Sequence, residues 1–103
     1  MKRASYRKEL KIPNSVTEIG RNAFYWCECL ISINIPNRVK KIGKFAFTLC
    51  KELKSVKIPN SVTVIDEGAF QDCSGLTSII LPYSTKVGES AFRNCPKLKI
   101  IRK

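Results

Sequence analysis

Apolar and polar residues alternate in a short segment that recurs along the chain. In residues 53–59, Val56 and Ile58 are apolar and are separated by the polar Lys57. An alternation with a period of two is the signature of a half-buried β-strand, and the proline that follows ends the strand because it cannot donate to a hydrogen-bond ladder. The same pattern predicts strands at 30–36, 76–82 and 98–103, and a degenerate strand at 7–13.

The predicted strands recur at a fixed interval. An isoleucine or leucine precedes proline at four positions, each 23 residues after the last. Columns of Ala-Phe, Cys and Leu follow with the same spacing, except that the last interval of each column is 22 residues. A repeat of this length predicts a solenoid in which equivalent side chains stack in single file. The columns are Ile12, Ile35, Ile58 and Leu81; Phe24, Phe47, Phe70 and Phe92; Cys27, Cys50, Cys73 and Cys95; and Leu30, Leu53, Leu76 and Leu98.

A second short apolar element follows each proline and leads to Gly20, Gly43 or Asp66 in the first three copies. Glycine at this position predicts a bend with a positive φ, which aspartate also tolerates. The next segment, 22–28 in the first copy, is too short for a stable isolated helix. We nevertheless expect one or two helical turns there, because a Phe and a Cys three residues apart would point inward together.

The full pattern resembles a known repeat family. Residues 12–33 read I-P-N-S-V-T-x-I-G-x-x-A-F-x-x-C-x-x-L-x-S-I, which resembles the BspA-type leucine-rich repeat, and the likeness covers essentially the whole chain after Lys8. The resemblance implies an α/β leucine-rich-repeat solenoid, with a short parallel β-sheet on the concave face and short helical or 3-10 turns on the convex side. We expect one domain, 1–103, with repeats at about 8–30, 31–53, 54–76 and 77–98 and a terminal strand at 99–103.

The same resemblance implies a function. Such repeats are ligand-binding or adhesive scaffolds, typical of bacterial surface proteins and some protist ones, without enzymatic activity of their own. We therefore expect a non-enzymatic interaction scaffold that binds a protein or a surface glycan. The chain as written has no export signal and would be cytoplasmic, although the family that it resembles is often secreted or on the cell surface.

Charge suggests an alternative function. The net charge is +11, of which residues 1–11 and 97–103 each carry +4. Basic ends favour a domain that binds nucleic acid or another polyanion, with Lys2, Arg3, Arg7 and Lys8 as the first residues to neutralise. The simpler interpretation is that the charges solubilise the exposed ends of a solenoid. Apart from Tyr6, no aromatic residue interleaves with the basic ones of the two ends, which disfavours a surface for single-stranded nucleic acid.

Residue types disfavour catalysis and metal binding. The chain has no histidine, no glycine-rich phosphate loop and no evident carboxylate pair. Four of the five cysteines form one column of the repeat, which favours a reduced, buried ladder over disulfides. Cys27 and Cys29 form a C-x-C, which is too short for usual zinc spacing. We expect no cofactor, no metal and no catalytic residue.

Two surfaces are candidates for ligand binding. The first is the outward row of the predicted sheet on the concave face, which is small, polar and poor in the Trp, Tyr and Arg that binding hot spots favour. Its candidate residues are Ser32, Asn34, Ser55, Lys57, Ser78 and Ile80, with Glu9, Lys11, Ile100 and Arg102 at its two ends.

The second candidate emerges from a comparison of columns. Tyr25 and Trp26, and in the next repeat Phe45 and Leu49, are apolar or aromatic where the last two repeats carry glycine or polar residues. We expect Phe45 and Leu49, four residues apart on one short helix, to form an outward patch with Trp26. The alternative is that these side chains fold over the N-terminal end of the solenoid and cap it.

Partner predictions follow from these surfaces. A protein partner is the first expectation, a glycan is the second, and nucleic acid or another polyanion is the alternative. No segment has the 18 apolar residues of a membrane span. A homodimer through the solenoid ends is also predicted, since the layer of Leu76, Ile79 and Leu81 should be thinly covered by the last strand.

Overall fold

The computed structural model describes residues 8–103. Within these residues the chain forms nine short β-strands and no helix. The strands alternate between two positions in each coil, as the recurring apolar segments predict. Their bounds are β1 Lys8–Lys11, β2 Glu18–Ile19, β3 Leu30–Asn34, β4 Lys41–Ile42, β5 Ser55–Lys57, β6 Val64–Ile65, β7 Ser78–Leu81, β8 Lys86–Val87 and β9 Lys99–Arg102.

Each coil contributes one strand to each of two parallel sheets. The longer strands form a five-stranded sheet in the order β1-β3-β5-β7-β9, and the two-residue strands form a four-stranded sheet in the order β2-β4-β6-β8. The register places equivalent residues side by side, with Ser32 opposite Ser55 and Ser55 opposite Ser78. The predicted parallel solenoid is therefore confirmed, and the second apolar element of each repeat is itself a strand.

The predicted helical turns on the convex side are wrong. This wall consists of consecutive β-turns, in which Ala46 N–H donates to Gly43 O and Cys50 N–H donates to Phe47 O. Two residues per coil, four positions apart, have positive φ, and such residues cannot belong to a right-handed helix. A positive φ at the third turn position alone is the signature of a type II turn. The left-handed residues are Asn22, Phe45, Gly68 and Ser90, and Trp26, Leu49, Asp72 and Asn94.

The glycine column has a different role from the predicted one. Gly20 and Gly43 do not have positive φ. A Cβ on Gly43 would instead lie 2.9 Å from the backbone of the preceding coil, at Arg21 N and Ile19 O, whereas a Cβ on Gly20 would meet nothing within 4 Å. Gly43 is thus required for close approach of two coils, and Gly20, at the first coil, is not.

Backbone hydrogen bonds join the turns of successive coils in three rows. In these rows each coil donates N–H groups to carbonyl oxygens of the next, whereas Lys40 and Gly43, outside the rows, donate to Thr17 and Ile19 of the preceding coil. The first coil donates from Asn22 to Lys44, from Phe24 to Ala46 and from Trp26 to Thr48, at 3.0, 2.8 and 2.8 Å. The same three rows continue through the second and third coils.

The core is a stack of equivalent side chains. The rings of Phe24, Phe47, Phe70 and Phe92 lie in single file, with centroids 5.2, 5.0 and 5.6 Å apart and interplanar angles of 8, 10 and 16°. Phe47 and Phe70 are fully buried, and the outer two rings are half-buried. This stack confirms the predicted alignment of columns.

The last coil departs from the regular register. The missing residue lies at β8, where Lys86 pairs with Val64, 22 residues earlier. In β9, Lys99 pairs with Ser78 and Ile100 pairs with the buried Ile79. The prediction that Ile100 and Arg102 continue the outward row is therefore wrong by one residue. The shift arises because paired residues of β7 and β9, such as Ser78 and Lys99, are separated along the sequence by two residues fewer than the 23-residue period.

Substituting alanine at two equivalent glycines tests the close approach of the coils. Gly43→Ala should lower the free energy of unfolding by about 1–2 kcal/mol, because its Cβ would press on the backbone of the first coil. Asp66 occupies this column in the third repeat, so the wall can shift locally and the cost stays moderate. Gly20→Ala is the matched control and should leave urea unfolding unchanged or slightly stabilised. Equal effects at both glycines would contradict the packing explanation.

Candidate interaction surface

The concave candidates lie where the sequence predicts them, on the five-stranded sheet. Ser32, Ser55 and Ser78 form a row across β3, β5 and β7, and Lys57 pairs with Ile80. This face presents the hydroxyl groups of these serines beside Lys57 and Ile80. Asn34, Ser55 and Lys57 are exposed, whereas Ser32, Ser78 and Ile80 are half-buried.

Three of the four convex candidates lie together. Tyr25, Phe45 and Leu49 line one shallow groove on the turn wall. Tyr25 is 47% exposed, while Phe45 and Leu49 are half-buried. Polar residues that the sequence comparison missed complete the groove: Asn22, Thr48, Gln71 and Asp72.

Trp26 flanks this groove. It occupies the same backbone row as Leu49, one coil earlier, since Trp26 N–H donates to Thr48 O and Leu49 N–H donates to Gln71 O. Its side chain is 57% exposed, the most exposed of the four. The helix that was expected to align Phe45 with Leu49 does not form, and the two are instead aligned by the repeating turns. We call Tyr25, Trp26, Phe45 and Leu49 the convex patch.

Backbone conformation makes the convex patch costly. Trp26, Phe45 and Leu49 have φ values of 58, 57 and 65°. The left-handed region costs an ordinary residue roughly 1–2 kcal/mol relative to glycine, and Asn or Asp tolerate it best. The later coils place Gly68, Ser90, Asp72 and Asn94 at these positions, so large apolar side chains occur there only in the first two coils.

Gly68 accommodates the ring of Phe45. A Cβ on Gly68 would lie 2.4 Å from Cε1 and 2.5 Å from Cδ1 of Phe45, so the ring rests on the glycine of the next coil. Beside it the buried Thr48 hydroxyl donates to Gly68 O at 2.7 Å. Phe45 and Gly68 occupy the same position in successive repeats. A glycine that follows a phenylalanine at this position is the sequence signal that could have revealed the contact.

The cysteine column forms a hydrogen-bonded ladder of free thiols. Cys50 Sγ donates to Phe24 O at 3.1 Å, and Cys73 Sγ donates to Phe47 O at 3.1 Å. Cys50 and Cys73 are buried, whereas Cys27 and Cys95 are half-buried. Burial raises the pKa of Cys27, and it raises the pKa of Cys50 to about 11. The pKa of Cys73 is also raised, first by its pairing with Cys95 and then by burial. Cys27, Cys50 and Cys73 are therefore poor nucleophiles, whereas the pairing with Cys73 lowers the pKa of Cys95.

Basic residues cover the described ends. Of the residues that the sequence proposes for polyanion binding, Lys8 is exposed, and Lys2, Arg3 and Arg7 lie outside the described residues. At the other end Lys97, Lys99, Arg102 and Lys103 are all exposed. Nη1 of Arg102 donates to the carbonyls of Pro82, Tyr83 and Thr85, which fixes this guanidinium against the last turn.

The prediction of a thinly covered last layer is wrong in its position. Leu76, Ile79 and Leu81 are fully buried, because β9 covers them. The uncovered apolar residues belong to β9 itself, where Ile100 is 50% exposed and Ile101 is 40% exposed. The exposed layer thus lies one coil further along the solenoid than expected.

Within residues 8–103, no group of three or more His, Cys, Asp or Glu side chains is arranged to hold a metal ion. The same residues contain no helix with the length and apolar character of a membrane span.

Comparing two substitutions at Trp26 tests the strained backbone. Because Asn tolerates a positive φ and Ala does not, Trp26→Asn should be more stable than Trp26→Ala by about 1 kcal/mol. Both variants lose the indole, so the comparison isolates the backbone conformation. Thermal and urea unfolding measure the difference. An alanine variant as stable as the asparagine variant would show that Trp26 carries no conformational cost.

The raised pKa of Cys50 predicts that the folded chain loses stability at alkaline pH. The folded chain holds the proton of Cys50 up to about pH 11, whereas the ordinary thiol value is 9.0. The unfolded chain therefore loses this proton first, and the stabilisation present below pH 9 is lost as pH rises toward 11. Urea unfolding under reducing conditions at several pH values should show a steeper decline for the wild type than for Cys50→Ala. Parallel declines would contradict the assignment.

Comparison with known proteins places the chain in a family. The sequence profile described as the BspA type leucine rich repeat region (6 copies) matches residues 3–102. A search among curated proteins gave no match.

Solved structures of leucine-rich-repeat proteins resemble the chain. A leucine rich cell surface protein from Faecalibacterium prausnitzii is 31% identical, with a TM-score of 0.79 over 91% of this chain and 31% of its own. A leucine-rich repeat protein from Bacteroides ovatus is 31% identical, with a TM-score of 0.82 over 92% and 25%. One from Bacteroides capillosus is 29% identical, with a TM-score of 0.82 over 92% and 76%.

The chain spans about a third or less of the first two of these proteins. The match of the profile over nearly the whole sequence, on a solenoid of this register, leads to one conclusion. The chain belongs to the BspA-type leucine-rich-repeat family.

Proposed function

We propose that the chain is a non-enzymatic scaffold that binds a protein partner through the convex patch. Leucine-rich repeat proteins are typically binding scaffolds, and one of the similar structures is described as a cell surface protein. The proposal goes further than this family-level function, because it assigns the contact to Tyr25, Trp26, Phe45 and Leu49.

One observation carries the proposal. Three large apolar residues hold left-handed backbone positions that the later coils fill with glycine or polar residues. Residues in such conformations cluster at functional sites when their cost is offset by another role. Because the Trp26 side chain is 57% exposed, burial within the fold offsets only part of its conformational cost. Contact with a partner is the role that fits.

The composition of the convex patch favours a protein partner. Exposed Trp and Tyr are the residues that most often dominate protein interfaces, and the groove beside them carries apolar Phe45 and Leu49. Polar Gln71 and Asp72 border it, as polar rims border interface centres. The concave face lacks an aromatic centre, so we place it second.

A glycan remains the other ligand class for either surface. The hydroxyl row of Ser32, Ser55 and Ser78, in which Ser55 is exposed and the other two are half-buried, offers hydrogen bonds to a sugar but no aromatic ring on which a sugar could lie. The convex patch has rings with fewer hydrogen-bond donors. Neither arrangement favours a glycan over a protein.

Selection of peptides from a library displayed on phage tests the proposal. Panning against the reduced, folded chain should enrich peptides with apolar anchors. Trp26→Asn combined with Leu49→Asn should weaken their binding at least about tenfold, since two desolvated apolar contacts are lost. The matched control is Asn34→Ala combined with Lys57→Ala on the concave face, which should leave binding unchanged. Isothermal titration measures both.

The opposite result would assign the binding site to the concave face. If the concave double variant lost binding and the convex one kept it, the convex patch would not be the contact surface. Loss of the native circular dichroism spectrum in the convex variant would show that the convex patch belongs to the core.

The dependence of affinity on salt concentration distinguishes the alternative function, polyanion binding through the basic ends, from peptide binding at the convex patch. Log affinity for heparin or single-stranded DNA should fall linearly and steeply with log salt. Binding of an apolar peptide to the convex patch should change little over the same range. Salt-sensitive binding to a polyanion, with no peptide selected at the convex patch, would favour the alternative.

A further inference from the structure

A single carboxylate lies in the groove beside the convex patch. Of the seven residues that line this groove, Asp72 alone is charged, and the other six are aromatic, aliphatic or uncharged and polar. The lining residues come from three successive coils. The chain has 19 basic residues and 8 acidic ones, so an acidic groove is a local departure from its overall charge. This carboxylate gives the groove a preference for one kind of side chain.

Asp72 continues the backbone column that holds Trp26 and Leu49. The three residues have φ values of 62, 58 and 65°. Trp26 N–H donates to Thr48 O and Leu49 N–H donates to Gln71 O, so the column crosses the coils in register. Neighbours in such a column are about 5 Å apart, the spacing of hydrogen-bonded parallel chains. An indole, an aliphatic side chain and a carboxylate thus follow one another in a line across the turn wall.

The carboxylate of Asp72 is positioned but not neutralised. Asn94 Nδ2 donates to Asp72 Oδ1 at 2.8 Å, and the Asp72 side chain is half-buried. The one ion pair within residues 8–103 joins Lys41 to Asp66. Lys51 lines a neighbouring groove together with Asp72, yet it is exposed and forms no ion pair with it. Asp72 therefore keeps the capacity to accept hydrogen bonds from a cation.

A guanidinium group suits this surface better than an ammonium group. Its planar fork of donors matches a carboxylate, and its flat face stacks on aromatic rings. Tyr25 and Phe45 supply such rings in the same groove, where a cation–π contact would add to the ion pair. The Thr48 hydroxyl already donates to Gly68 O. The side chain with the strongest remaining capacity to accept is thus that of Asp72.

We propose that the convex patch recognises an extended partner segment with an apolar side chain and, two residues away, an arginine. The apolar side chain covers Leu49 beside Trp26, and the guanidinium contacts Asp72. Side chains two residues apart on an extended segment lie on the same side, roughly 7 Å apart, and the long arginine side chain adapts this distance to the column. The inference rests on the proposed function, because it names the chemistry of the partner that the convex patch binds.

Asp72 also has a purely conformational explanation, which one substitution separates from the proposal. Aspartate tolerates a φ of 62°, and asparagine holds the equivalent position in the next coil, where Asn94 has a φ of 61°. Asp72→Asn keeps this backbone preference and an oxygen that accepts from Asn94, but it removes the negative charge. If conformation were the whole role of Asp72, this variant would fold and bind as the wild type does.

Parallel selection from a peptide library displayed on phage tests the proposal. The library fixes one leucine and randomises the residues on both sides of it. Panning against the wild type should enrich arginine over glutamine at least about tenfold at the second position from the leucine, because the ion pair is formed next to the apolar contact. Panning against Asp72→Asn should remove this enrichment. Glu18→Gln, an equal loss of charge at an exposed residue of β2, is the matched control and should preserve it.

A double-mutant cycle on one selected peptide measures the contact directly. Replacing the peptide's arginine by glutamine should weaken binding to the wild type about tenfold and leave binding to Asp72→Asn nearly unchanged, since the two groups interact with each other. Isothermal titration near physiological salt measures the four affinities. Urea unfolding of Asp72→Asn checks that its stability is that of the wild type.

Each contrary outcome overturns a defined part of the proposal. Peptides that lose binding in the Trp26→Asn and Leu49→Asn double variant, but show no enrichment of arginine, would leave the proposed function intact and refute the arginine. Equal enrichment of arginine by Asp72→Asn and the wild type would show that this carboxylate is not the contact. Equal effects of Asp72→Asn and Glu18→Gln would show long-range charge attraction instead of a site. A selection that yields no binding peptide would contradict both the proposed function and this inference.

Discussion

The whole structure depends on the register between successive coils. Three rows of backbone hydrogen bonds on the turn wall and two parallel sheets hold each coil directly above the last. This register stacks the rings of Phe47 and Phe70 at 5.0 Å and seats each buried thiol on a carbonyl of the preceding coil. In a repeat protein each unit contacts only its neighbours, so the stability of the fold depends on the contacts that this register creates between adjacent coils. Gly43 serves it by letting two backbones approach closely.

The same register imposes a conformational demand on the convex surface. Two left-handed residues recur in every coil, and Asp72 and Asn94 meet this demand at small cost. Trp26 and Leu49 meet it at a larger cost. The convex patch is thus a local conflict between backbone preference and side-chain identity, of the kind that marks functional sites in an otherwise consistent fold. Gly68 relieves part of this conflict by making room for the neighbouring ring of Phe45.

The backbone hydrogen bonds between coils run in both directions along the solenoid. An inner coil both donates and accepts, so its backbone is satisfied. On the turn wall Phe47 donates to Ala69 of the following coil, whereas Gly43 donates to Ile19 of the preceding coil. Function in this family member is proposed on the turn wall, which displays the exposed Tyr25 and Trp26.

The sequence by itself determined the repeat, the strands and the stacking of columns, because period-two alternation and a 23-residue interval are local patterns with one plausible packing. It also singled out Trp26 and Leu49 by comparison between repeats. Only the tertiary structure decided that the convex wall consists of type II turns, since the short Ala-Phe segment fits a helical turn equally well until inter-coil hydrogen bonds select the left-handed residues. The pairing of Ile100 with Ile79 was likewise beyond the sequence, because a strand at the edge takes its register from its neighbour and not from the period.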